Sequence, residues 1–173
     1  TQLTLRLISQ RQPEVLTRFF SETDTANLSP LWQELQVESL IHTGQTDEAY
    51  ARLEALLAQN PSADLYIQAA LLAASRHAEL SMINGYLERA YMAGTQEQKS
   101  KAAIIGTMNS VQAENYAGAD GWIARINAPE YAFDKIVLSA SLKAEQGKWQ
   151  AALEQAKSAR NLPEQQGRFY SDS

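Results

Sequence analysis

The chain has 173 residues, a formal net charge of −5, 45% apolar residues and no cysteine. That length and apolar share support one domain with a real core and exclude disorder of the whole chain. The acidic balance, with no basic stripe, argues against nucleic acid as a ligand, and the missing cysteines exclude disulfides, thiolate metal sites and a thiol nucleophile.

Ala, Leu, Gln and Glu dominate while Gly (8) and Pro (5) are scarce, a composition that favours helices. No apolar run approaches the 18 residues of a membrane-spanning helix. In chain order, Leu3 and Leu7 and then Val15 and Phe19 space as the apolar residues of two short helices over 1–28. Over 30–63, Ser29 and Pro30 predict a helix start, and Leu31, Leu35, Leu40 and Ile41 its apolar face. Gly44 ends that helix, and Thr46 or Asp47 is expected to cap the next. Ala49, Leu53, Leu56 and Leu57 run down one face of it, and Asn60-Pro61 closes it.

The next pair spans 64–97. Leu65, Tyr66, Ala69, Ala70, Leu72 and Ala73 mark one helix; Leu80, Ile83, Leu87, Ala90 and Tyr91 mark another that ends at Gly94. Its turn holds His77-Ala78 in place of a glycine. Over 98–129, Ile104, Ile105, Met108 and Val111 precede Tyr116, Ala119, Ile123 and Ile126, with Pro129 closing. The run Gly118-Ala-Asp-Gly121 is expected to loosen the start of that second helix. Over 130–163, Ile136, Ala140 and Ala144 lie before Gly147; Trp149, Ala152, Ala156 and Ala159 follow, and Pro163 closes.

These pairs repeat. Gly44 to Gly147 and Ala49 to Ala152 are each 103 positions, near three periods of 34. Pro61 to Pro129 is 68 and Pro129 to Pro163 is 34. Ile83 to Ala119 is 36, which predicts an insertion of a residue or two near 94–98. A period of 34 built from helix pairs is a repeat signature. On these residues the chain resembles the tetratricopeptide-repeat family over 1–163, most specifically in 30–63 and 130–163. The resemblance implies an all-α, right-handed solenoid of antiparallel helix pairs. It divides the chain into a partial repeat 1–28, repeats 30–63, 64–97, 98–129 and 130–163, and a flexible tail 164–173. A chain that begins inside a repeat and carries no amphipathic capping helix at its end is expected to be a piece of a longer array or to have an unusual C-terminal end.

The resemblance also implies a function: a scaffold, not an enzyme, that holds a partner peptide, helix or loop in a concave groove lined by first helices. The groove candidates it assigns are Glu34, Glu38, Ile41 and His42, then Gln68, Leu72, Ser75 and Arg76. Further candidates are Lys101, Met108 and Gln112, and then Lys135 and Lys143. Glu34 and Glu38 stand where a clamp for an acidic chain terminus would need basic groups. Residues 29–63 carry one Arg against five acids, while 98–129 carry three basic groups against two acids, so a basic or polar ligand segment is expected near the first pair. The alternative is an architectural segment of a larger assembly that makes contact through its ends, with Leu3, Leu5, Leu7, Phe169 and Tyr170 as the apolar residues available. Membrane contact is expected only through a partner or a flanking segment, and the compartment is open between cytoplasm and periplasm.

Sharper chemistry finds little support. His42 and His77, 35 positions apart, could meet Glu38 at a metal, but zinc wants three or four closely spaced ligands. No metal, cofactor or small-molecule substrate is therefore expected. Asp47-Glu48 suits a helix N-terminus better than acid–base work. Gly118–Gly121 lacks the strand and the spacing of a nucleotide loop. Trp149 is expected in the core between paired helices, with Trp32 and Trp122 at an edge or a ligand.

Overall fold

A computed structural model describes residues 13–22 and 28–161. The expectations for Leu3, Leu5 and Leu7, for Phe169 and Tyr170 and for the 164–173 tail lie outside these residues. The described residues are all-helical. They fall into two compact units divided between Pro61 and Ser62.

The first unit holds α1 (Pro13–Glu22), α2 (Pro30–His42) and α3 (Thr46–Gln59). The core stripe of α3 is the expected one: Ala49, Leu53, Leu56 and Leu57 are all buried. They recur at i, i+4, i+7 and i+8, so one face of the helix leaves water. Asp47 and Glu48 occupy its first turn, complementing the helix dipole, while Gln45 and not Thr46 or Asp47 is the residue at the N-cap. On α1, Leu16 is buried while Val15 and Phe19 stand exposed. Trp32 closes this unit by stacking on Phe19, ring centroids 4.9 Å apart, with the Phe20 ring edge-on at 6.2 Å. It packs on a neighbouring helix and does not stand free at an edge.

The second unit holds α4 (Ala63–Ser75), α5 (Leu80–Ala93), α6 (Gln96–Gln112), α7 (Tyr116–Ala124), α8 (Ala132–Glu145) and α9 (Trp149–Ser158), with single 3-10 turns at Pro129–Tyr131 and Ala159–Asn161. Each helix packs on the next, and α4 also touches α6 and α6 touches α8. Ser62 caps α4 through the Leu65 N–H at 3.3 Å. Thr95 and Gln98 form a reciprocal capping box at the start of α6. The Gly118–Gly121 stretch lies inside α7 and does not loosen its start, because Asn115 Oδ1 accepts the Gly118 N–H at 3.0 Å.

One turn recurs through the chain. Residues 44, 77, 114 and 147 all have a left-handed backbone, with φ of 75° at Gly44, 55° at His77, 56° at Glu114 and 72° at Gly147. At each, two backbone hydrogen bonds close the end of the preceding helix. Gly44 N–H donates to Ile41 O at 3.0 Å and Gln45 N–H to Leu40 O at 2.9 Å. The same pair joins His77 to Ala74 and Ala78 to Ala73, Glu114 to Val111 and Asn115 to Ser110, and Gly147 to Ala144 and Lys148 to Lys143. This is the left-handed helix stop, which satisfies carbonyls that would otherwise lack a partner.

The turns lie 33, 37 and 33 positions apart. The irregularity falls where the spacing of Ile83 and Ala119 places it, near 94–98, but it amounts to four residues instead of one or two. It is length in α6, which has 17 residues where α2 and α4 have 13 each. The surplus is a first turn, Gln96–Lys99.

Ser100, fully buried on α6, accepts the Ala128 N–H at 3.0 Å and the Asn127 N–H at 3.3 Å, fixing the chain where it leaves α7. Gly106 faces the Trp122 ring, and a methyl group there would sit 2.5 Å from a ring carbon. Trp122 is therefore core. On α8 the buried stripe is Asp134, Leu138 and Leu142, two residues out of step with the expected Ile136, Ala140 and Ala144. No residue of α9 is buried: Trp149 is 71% and Leu153 52% exposed, against the expectation of a core tryptophan.

A left-handed conformation costs a residue with a Cβ about 1–2 kcal/mol. Gly44 and Gly147 have open space around them, so Gly44→Ala or Gly147→Ala tests that cost alone. Each is expected to lower unfolding free energy by about 1 kcal/mol in urea melts, while His77→Gly and Glu114→Gly raise it by about 0.5–1 kcal/mol. Ser100→Ala strands two backbone donors, one of them buried, and is expected to cost about 1–3 kcal/mol in the same assay.

Candidate functional site

In the first unit, the residues chosen from sequence share one face of α2. At 100° per residue, Glu34, Glu38, Ile41 and His42 cluster together, and Gln36, Ser39, Leu40 and Thr43 cluster opposite. Ile41 and His42 are exposed, Glu34 and Glu38 half-buried. The opposite face opens on a cleft of about 310 Å³ that α1 and α3 also line. Its polar groups answer one another. Thr17 and Ser39 hydroxyls lie 3.0 Å apart, and Arg52 donates to Gln36 Oε1 at 2.9 Å and to Glu48 Oε1 at 3.0 Å. Thr43 Oγ1 donates to Ser39 O at 3.1 Å and accepts from Gln45 Nε2 at 3.2 Å. This is a hydrogen-bonded seam that ties three helices, with Gln36 and Ser39 buried in it.

In the second unit, Leu72 is 4% exposed and belongs to the core, which removes it from the candidate set. Its neighbour Leu71 takes the exposed position at 49%, because one residue of helix rotates a side chain by 100°. Leu71 stands six residues before the turn residue His77, and Met108 stands six before Glu114, also exposed at 46%. Two apolar side chains thus occupy one register position on α4 and α6, helices that touch. Ser75 and Gln112, two residues before their turns, are exposed in turn. Gln68 is half-buried, and its Oε1 accepts no hydrogen bond among the described residues. Arg76 is the exposed C-cap of α4. A smaller cavity of about 210 Å³ lies beside His77, between the start of α5 and the end of α6.

The basic candidates are engaged locally. Lys101 pairs with Glu97 at 3.0 Å, Lys135 Nζ donates to Ile126 O at 2.9 Å, and Lys143 Nζ to Gln155 Oε1 at 2.9 Å. A second polar cluster was not foreseen. The Arg125 guanidinium lies 4.5 Å from the Trp122 ring centre and 5.4 Å from that of Tyr91, and pairs with Glu88. Lys99 Nζ lies 5.7 Å from the centre of the same Tyr91 ring. These stacked cations lock α5, α6 and the end of α7 together. Among the described residues no group of three or more His, Cys, Asp or Glu side chains is placed to hold a metal. Among them, too, no helix is long and apolar enough to cross a membrane.

Tyr131 and Lys101 have perturbed titration. Burial raises the Tyr131 phenol above its ordinary 10.0, with Glu97 and Glu130 adding to it and Lys101 opposing. Burial alone would lower Lys101. Its hydrogen bond to Glu97 and the attraction of Tyr131, Glu97 and Asp64 outweigh that and raise it above 10.5. In both cases the folded state holds its proton more tightly than the unfolded chain. The stabilisation is therefore complete below about pH 10 and is lost as pH rises through the folded values. Melting temperature is expected to fall as pH climbs past 10, and Tyr131→Phe should flatten that fall; superimposable profiles for the two proteins would sink the assignment.

No protein-family model matches the chain, and neither a curated protein nor a solved structure matches it.

Proposed function

We propose that the chain is a tetratricopeptide-like helical repeat that binds a protein or peptide partner through the outward faces of its first helices. The observation that carries this is the recurrence of one left-handed turn four times, each with the same two hydrogen bonds between consecutive helices. Stacked pairs of this kind put each first helix against the next first helix, and α4 on α6 and α6 on α8 agree with that. On this reading the helices form a right-handed solenoid, and the surface made of first helices is a rigid display for a partner segment.

The contact stripe we favour in the second unit is Leu71, Ser75, Met108 and Gln112, replacing the stripe through Leu72. Exposed apolar residues at one repeated register suit a partner side chain, since burying each releases about 25 cal/mol per Å² of apolar surface. In the first unit the corresponding candidates remain Glu34, Glu38, Ile41 and His42. The chemistry is recognition without catalysis: the clefts are small, and the polar groups of the larger one are bonded to each other.

A second reading rests on a separate observation. Trp149 and Leu153 leave α9 with an exposed apolar stripe, which suits an architectural segment that meets its neighbours end-on.

Affinity capture from the native host, quantified by mass spectrometry, separates the two. Leu71→Glu with Met108→Glu should cut recovery of the specific partner at least tenfold while circular dichroism and melting stay unchanged. Loss confined to Trp149→Glu with Leu153→Glu would favour the architectural reading. Retention of the partner by both double variants would refute the two together.

A further inference from the structure

We draw no further inference here: the strongest candidate, the apolar stripe of Trp149 and Leu153 on the outer face of α9, is an uncovered helix face, and nothing in the structure shows what covers it.

Discussion

The left-handed residue at each helix stop is the constraint on which the rest depends. An α-helix ends with four carbonyls that lack partners, and the turn satisfies two of them while reversing the chain. Once the chain is reversed, the second helix returns along the first, and their apolar stripes face each other. Ala49, Leu53 and Leu56 on α3, and Ile83, Leu87 and Ala90 on α5, are buried on that account. The same geometry explains why the connections are so short and why helix follows helix without a long loop. At two of the four turns the sequence uses glycine, which adopts this conformation freely. At the other two, His77 and Glu114 hold it at a cost that packing on either side must offset.

How much of this was legible follows from what each residue can signal. The turns at Gly44 and Gly147 announce themselves, because glycine after an apolar run has few other uses. The turn at Glu114 does not, since glutamate gives no local hint of a left-handed backbone. The stripe of α3 was readable because polar residues alternate with leucines and fix the phase. On α4 the expected stripe of Leu65, Ala69, Ala70, Leu72 and Ala73 is buried, and Leu72 fails only as a groove residue, because the run Ala69–Ala73 holds no polar residue to tell exposed Leu71 from buried Leu72. The α8 stripe is misread for a different reason: Asp134 is buried where a charge reads as exposed.

The candidate site was less legible than the fold. Periodicity tells which side of a helix is apolar, but not whether anything covers that side. Trp149 looked like core by its position after a turn; it is exposed because α9 has no further helix upon it among the described residues. Conversely, Gly106 carried no signal of its own, yet it is the space that lets Trp122 lie flat on α6. Ser100 likewise looks like an ordinary helical serine until the chain from Asn127 to Ala128 is seen to fold back on it.

The surplus turn of α6 bears on how such a chain tolerates change in length. Four residues advance an α-helix by about 6 Å and by roughly one full rotation, 400° against 360°. Everything C-terminal to the addition therefore keeps its face: Ala102, Ala103 and Gly106 still point inward, and Met108 still matches Leu71. The added turn has also gained work of its own, since Gln98 Nε2 reaches Asp64 Oδ1 at 2.9 Å and Lys99 lies over Tyr91. Helices can grow by whole turns at their free ends while the spacing of the left-handed stops varies, and a repeat that has drifted from 33 to 37 residues remains in phase with its neighbours.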